Sequence, residues 1–333
     1  MDPHDSPVAP LAADHQLVEG VLARRLRALA KTITLVESRR SDHRARAQAV
    51  VEALLPHAGA TIRVGLSGAP GAGKSTFIEA LGLYLIDHGH RVAVLAVDPS
   101  STISGGSILG DKTRMEKLSQ SPHAYIRPSP SAGTLGGVAE KTREVMVVCE
   151  AAGFDVIIVE TVGVGQSETA VAGMTDAFVL VQLPNQGDDL QAIKKGVVEL
   201  ADIIVVNKAD IDPKAANLAR AHLRTALSML RHPSPNWNPP VLAASAHSGQ
   251  GIQDFWREVD RYRDTMTRSG EFEAKRRRQA LAWMWELIDG GLRLRFREHP
   301  LVHAELTKLS HAVEQGTTTP SCAAERLLEL MQR

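Results

Sequence analysis

Residues Gly68-Ala69-Pro70-Gly71-Ala72-Gly73-Lys74-Ser75-Thr76 follow the pattern G-x-x-x-x-G-K-[ST]. Glycines at this spacing let backbone N–H groups curl around a phosphate. Lys74 can then reach β- and γ-phosphates, and the Ser75 hydroxyl can hold Mg²⁺. The context agrees: an apolar run, Ile62–Leu66, precedes the loop. A helical pattern (Phe77, Ile78, Leu81, Leu85) follows it, which aims a helix N-terminus at the anion.

A second motif, Asn207-Lys208-Ala209-Asp210, reads N-K-x-D directly after the run Ile203–Val206. A carboxylate at Asp210 can accept hydrogen bonds from the N1–H and exocyclic amine of guanine. Adenine has no such donors, and a site built on specific hydrogen bonds can discriminate by roughly 10⁴-fold. Alone, the motif could be an Asp helix cap. After a phosphate loop in the same series of strands, it reads guanine. Ser245-Ala246, at another strand end, are candidates for a backbone contact to guanine O6.

Between these motifs lies Asp155-Val156-Ile157-Ile158-Val159-Glu160-Thr161-Val162-Gly163. Glu160 ends a buried strand and can hold Mg²⁺ directly or through water, while Gly163 can donate its N–H to a γ-phosphate. Asp98 ends a further strand and opens a polar loop that contains Asp111. Both are candidate metal-shell or water-orienting carboxylates, although a solvated turn explains Asp111 equally well. Lys74, Asp98 and Glu160 carry the expected catalytic roles, and Ser75, Asp98, Asp111 and Glu160 the expected metal shell. A third loop, from Pro184 to Lys195, places Asp188, Gln191 and Lys194 where a ligand-responsive segment would sit; a capped helix start accounts for it nearly as well.

These loops need a scaffold. Six apolar, β-branched runs occur in series: Ile62–Leu66, Val92–Val97, Val156–Val159, Ala177–Leu183, Ile203–Val206 and Val241–Ala244. They are nearly continuous rather than alternating, as strands buried on both faces of a parallel sheet are. Helix-length stretches separate them. The pattern predicts a doubly wound, mostly parallel α/β core over residues 59–262. Residues 1–14, rich in Pro, Asp and Ala, read as a disordered tail. Residues 15–58 read as a helical extension: Leu17, Val21, Leu22, Leu26 and Leu29 form one face and Arg24, Arg25 and Arg27 the other, with a second helix capped by Asp42.

Residues 263–333 read as a helical arm. Leu281, Trp285, Ile288, Leu292 and Phe296 form an amphipathic stripe that Gly290-Gly291 and Pro300 should interrupt, and Thr319-Pro320 opens a last helix. The stripe, with Trp283 and Met284, favours burial at a core or dimer interface. Lys275-Arg276-Arg277-Arg278 reads as a solvated face rather than a nucleic-acid patch.

The 333 residues carry 38 basic and 38 acidic side chains. That balance lacks the basic excess of a dedicated nucleic-acid binder. Cys149 and Cys322 are the only cysteines and form no C-x-x-C pair. No apolar run approaches the ~18 residues of a membrane span. Asp2, Asp5 and Asp14, without any Lys or Arg in the first fourteen residues, fit neither a signal nor a transit peptide. The expected setting is the reducing cytoplasm.

Several stretches together resemble the MeaB/ArgK family of P-loop GTPases: Gly71–Phe77, Asp98-Pro99-Ser100-Ser101, Ile126–Ser131 with Gly133–Gly137, and Val159–Glu168. The resemblance runs from about residue 15 to the C-terminus, and E-T-V-G-V-G-Q-S-E is far more specific than the phosphate loop. It implies a homodimeric G protein, associated with adenosylcobalamin-dependent methylmalonyl-CoA mutase. Such a protein uses GTP/GDP binding, Mg²⁺ and hydrolysis to protect the mutase and gate cobalamin delivery. It also implies N-terminal helices flanking the G domain and a C-terminal dimerisation arm. One loop departs from the family's P-G-A-G-D-E-L-Q-G-I-K: here Asn185, Gln186, Asp189 and Ala192 intrude, and two filled glycine positions should stiffen it.

Hydrolysis by the chain alone should be slow, because no water-positioning glutamine or arginine finger is evident. Two other classes are available. A nickel-insertion GTPase of a related branch needs ligands to ferry its metal, whereas the 13 histidines are scattered. A small-molecule kinase conflicts with Asp210 as a guanine reader.

Overall fold

The computed structural model describes residues 12–38, 40–97, 115–128, 135–161, 167–184, 195–230 and 234–331. Seven strands form one parallel sheet: β1 (Ile62–Gly68), β2 (Val92–Val97), β3 (Ala124–Arg127), β4 (Val156–Thr161), β5 (Ala177–Gln182), β6 (Ile203–Val206) and β7 (Val241–Ala243), in the order β3-β2-β4-β1-β5-β6-β7. Every pairing is parallel, so each connection must cross over, and helices come to lie on both faces.

Successive residues of a strand serve opposite faces. Val64, Leu66, Ile158, Val179 and Val205 pack with helices Lys74–Asp87 and Ile252–Arg268, where Phe77 meets Phe255 edge-on at 5.1 Å. Ile157 and Val159 face the other way. There, helix Leu135–Ala151 and the N-terminal helices Ala12–Leu22, Leu26–Glu37 and Ser41–Leu54 bury Leu29, Ile33, Val50, Leu54, Val148 and Cys149. Burial on both faces explains why the central strands read as continuous apolar segments. Cys149 is a free thiol in this core, and burial pushes its pKa up, so it packs as a neutral group.

β3 escaped the sequence reading. It has four residues, pairs only with β2 at the sheet edge, and alternates buried Ala124 and Ile126 with half-buried Tyr125 and Arg127. So short and mixed a segment has no periodic signal of its own. Asp42 is not the cap of its helix: the helix starts at Ser41 after Arg40, and Asp42 pairs with Arg40 from the first turn.

Lys275 and Arg276 differ more sharply from expectation. They are no solvated face. Arg276 grips Asp176 bidentately (Nε–Oδ1 2.8 Å, Nη2–Oδ2 2.7 Å) and donates to the carbonyls of Gly59 and Thr61. Lys275 donates to the Asp176 carbonyl, Asp202 and the Tyr262 hydroxyl. The Asp176 carboxylate is 1% exposed and also accepts from the Arg63 N–H. Removing one partner strands a buried charge, which costs about 3–5 kcal/mol. We therefore expect Arg276→Ala to lower the urea-unfolding free energy by about that amount; a loss under about 1 kcal/mol, the ceiling for a surface pair, would show the contact to be superficial.

The chain divides into two compact units, Met1–Arg276 and Arg277–Arg333. The second holds most of helix Glu271–Glu298 and the helices Pro300–Glu314 and Pro320–Leu330. Val302, Leu309, Ala323 and Leu327 form a small core of their own. Thr319 caps the last helix by accepting from the Cys322 N–H at 3.2 Å, with Pro320 in its first turn, as expected. Gly290-Gly291 does not interrupt its helix. Two glycines cost a helix only about 1 kcal/mol each relative to alanine, which flanking turns of strong formers can carry.

Candidate nucleotide site

The motifs meet at the C-terminal edge of the sheet, where open parallel sheets present their ligand crevice. β1 ends at Gly68 and helix Lys74–Asp87 begins five residues of loop later. A Cβ on Gly68 would lie 2.2 Å from the Val181 carbonyl of β5, so only glycine lets the chain leave the sheet centre there. Gly73 takes φ +84°, and a Cβ on it would lie 2.7 Å from the Asn207 amide nitrogen. Gly68 is thus demanded by the neighbouring backbone and Gly73 by its left-handed φ. The first N–H groups of the following helix have no intrahelical acceptor and can point at an anion.

Lys74 folds back over this loop, donating from Nζ to the carbonyls of Gly68 (2.7 Å) and Ala69 (3.3 Å). Ser75 donates to Glu160 Oε1 at 3.1 Å. Glu160 is 6% exposed, so β4 delivers a buried carboxylate to the hydroxyl at the mouth of the loop. Below it, fully buried Thr161 and Ser67 join the ends of β4 and β1 through a 3.0 Å hydrogen bond. Sequence reasoning overlooked this pair, because two isolated hydroxyls carry no motif.

Asn207 binds the two halves together. Its Nδ2 donates to the Ala72 carbonyl at 2.8 Å, and its Oδ1 accepts from the Ala246 N–H at 3.1 Å. One buried amide thus ties the loop after β1 to the loop after β7. The Ala246 N–H that the sequence offered to guanine O6 is engaged here with Asn207. Ser245 is fully buried, its Oγ accepting from the Ser248 N–H and its carbonyl from the Gly249 N–H. Lys208 adopts φ +58°, a left-handed conformation that costs a non-glycine residue about 1–3 kcal/mol and is tolerated where the surroundings demand it. It lies beside the loop, its Cε 3.6 Å from where a Gly73 Cβ would sit. Asp210 is exposed rather than buried in the turn that follows.

Val97 and Thr161, the last residues of β2 and β4, are register partners. Asp98 and Gly163 follow them in sequence but lie outside the described residues, as do Asp111 and the switch candidates Asp188, Gln191 and Lys194. The departure at Asn185 and Gln186 lies outside them too.

A phosphate loop after the central strand of a seven-stranded parallel sheet, joined to N-K-x-D through one asparagine, defines a P-loop GTPase. The chain belongs to the family described as methylmalonyl Co-A mutase-associated GTPase MeaB, whose model matches residues 29–300. It is 53% identical over 331 residues to a probable GTPase of Mycobacterium tuberculosis, covering 97% of this chain and 98% of that protein. It is 46% identical over 325 residues to the mouse methylmalonic aciduria type A homolog, mitochondrial, covering 94% of this chain and 78% of the relative. The solved structure of a LAO/AO transport system kinase superposes with a TM-score of 0.78 at 36% identity, covering 98% of this chain and all of that one. No helix among the described residues is long and apolar enough to cross a membrane.

Proposed function

We propose that the chain hydrolyses GTP slowly on its own and serves in the cytoplasm as a homodimeric chaperone of an adenosylcobalamin-dependent methylmalonyl-CoA mutase, protecting the mutase and gating cobalamin delivery. The observation that supports this best is the Asn207 bridge between phosphate loop and N-K-x-D loop, in a chain whose family is described by its association with that mutase.

In this reading the loop from Gly68 to Thr76 cradles the phosphates through its backbone. Lys74 exchanges the carbonyls of Gly68 and Ala69 for β- and γ-phosphate oxygens, so its ammonium is paired in both states. Asp210, exposed and two residues after Lys208, reads the guanine edge. Ser75 and Glu160 offer Mg²⁺ the hard oxygen donors it prefers. The bound ion would neutralise charge on the β- and γ-oxygens. Asp98, Asp111 and Gly163 complete the proposed shell, and Asp188, Gln191 and Lys194 the proposed switch.

Calorimetric titration with GTP, GDP and ATP, with and without the mutase, tests the reading. Guanine-selective binding that changes when mutase is added is the expected result. ATP binding as tightly as GTP would overturn the base reader, and selectivity indifferent to the mutase would remove the partner.

The dimer is argued from the arm. Leu281, Met284, Trp285, Ile288 and Leu292 recur at three- and four-residue spacing and are 39–60% exposed, an apolar stripe that a second copy can cover. Removing residues 277–333, so that Arg276 keeps its grip on Asp176, should leave a monomer with unchanged GDP affinity. A truncated protein that still sediments as a dimer would refute the assignment.

A further inference from the structure

The helices Ala12–Leu22, Leu26–Glu37 and Ser41–Leu54 line a cleft of about 750 Å³. Leu17, Ala28 and Leu35 give its lining an apolar part, beside the polar Gln16, Thr34, Ser38 and His43. The first two helices touch closely beside it: a Cβ on Gly20 would lie 2.5 Å from the Ala28 Cβ. Arg25, Arg27 and Lys31 also line the cleft, and all three are exposed. No side chain among the described residues pairs with any of them. Arg46, another lining residue, is different, since its guanidinium is held at 2.7 Å by buried Asp14. Glu19 is the one carboxylate in the lining among the described residues.

Size and charge together select an occupant. A helix taken as a cylinder about 10 Å across fills roughly 850 Å³ in two turns, which matches the cleft, whereas a lone phosphate would leave most of it empty. Three cations without side-chain partners among the described residues, beside the apolar Leu17, Ala28 and Leu35, repel one another and attract negative charge. An amphipathic helix answers both features, its apolar face on Leu17, Ala28 and Leu35 and its acidic flanks against the cations. We infer that this cleft docks an acidic amphipathic helix of a partner protein. The inference is independent of the mutase reading, because it rests on the cleft alone.

The test uses the full chain and a fluorescein-labelled peptide of about 18 residues with leucines at helical spacing and glutamates on both flanks. A scrambled peptide of the same composition is the control. Saturable anisotropy with the patterned peptide is expected, weakening at least about tenfold in the variant R25E/R27E/K31E and similarly when salt is raised from about 50 to 300 mM. The three positions are exposed, so circular dichroism and GDP binding of the variant should match the native chain. No saturable binding, equal binding of the scrambled peptide, or unchanged binding by the variant would overturn the proposal. So would binding that emerges only after removal of residues 1–11, which carry Asp2 and Asp5; the cleft would then belong to the chain's own N-terminus. Phosphatidylserine vesicles that bind in place of the peptide, and are lost with the variant, would reassign it to a membrane surface.

Discussion

Lys74→Ala should reduce single-turnover GTP hydrolysis by roughly 10²–10³-fold, the loss typical when one preorganised charged donor is taken from a transition state. The proposed mechanism asks this side chain to neutralise charge that grows on the β- and γ-oxygens, and a methyl group supplies none. The structure adds a second effect. Nζ also braces the loop by donating to Gly68 and Ala69, so its removal should loosen the cradle before any nucleotide arrives. GDP affinity should therefore fall as well, by about tenfold, or about 1.4 kcal/mol. The fold should survive, because Lys74 sits at the first position of its helix and is partly exposed. A variant with the native hydrolysis rate would remove Lys74 from the mechanism.

The second large effect is a change of base. Asp210→Asn replaces one acceptor oxygen of the carboxylate with an amide donor. Guanine then presents its exocyclic amine to another donor, and a hydrogen bond becomes a clash of like groups. GTP affinity should drop by roughly 10²–10⁴-fold, as when a site's polar groups lose their match. Xanthine carries a carbonyl where guanine carries that amine, so xanthosine triphosphate should bind the variant better than GTP does. Asp210 is exposed and has no hydrogen-bond partner among the described residues. The swap should therefore leave stability within about 0.5 kcal/mol of native, which separates a binding effect from a folding one. Competition between the two triphosphates, read by calorimetry, checks the exchange; unaltered GTP preference would show that Asp210 does not read the base.

Much of this architecture is legible without coordinates. β1, β2, β4, β5 and β6 announce themselves because both of their faces are buried, which forces nearly every residue to be apolar. The loop at Gly68–Thr76 is legible for a different reason: the Val181 carbonyl leaves no room for a Cβ on Gly68 and Gly73 takes a left-handed φ, so the requirement is written into residue type. β3 was hidden because an edge strand of four residues, half of them only partly buried, needs no distinctive composition.

The basic run at Lys275-Arg276-Arg277-Arg278 shows where residue type misleads. In sequence its members are equivalent. In the fold, Arg276 reaches Asp176, a hundred positions away, and Lys275 reaches Asp202, while Arg277 and Arg278 are exposed. A charge becomes a buried lock or a solvated face according to what the chain brings opposite it, and local pattern contains no such information. The same holds for Asn207. Its place in N-K-x-D suggests contact with a nucleotide, yet both ends of its amide are spent on Ala72 and Ala246.

By itself, the sequence determined the parallel α/β core and the G-x-x-x-x-G-K-[ST] loop, because these depend on local periodicity or on residue types that backbone geometry enforces, and it disclosed the family through the likeness of its motifs. Tertiary structure alone decided that Ser75 meets Glu160, that Ser67 meets Thr161, that one asparagine joins the loops after β1 and β7, and that three cations without side-chain partners among the described residues gather around one cleft. Those contacts link residues far apart in the chain, and their free energy comes from burial and hydrogen bonds that exist only once the sheet has assembled.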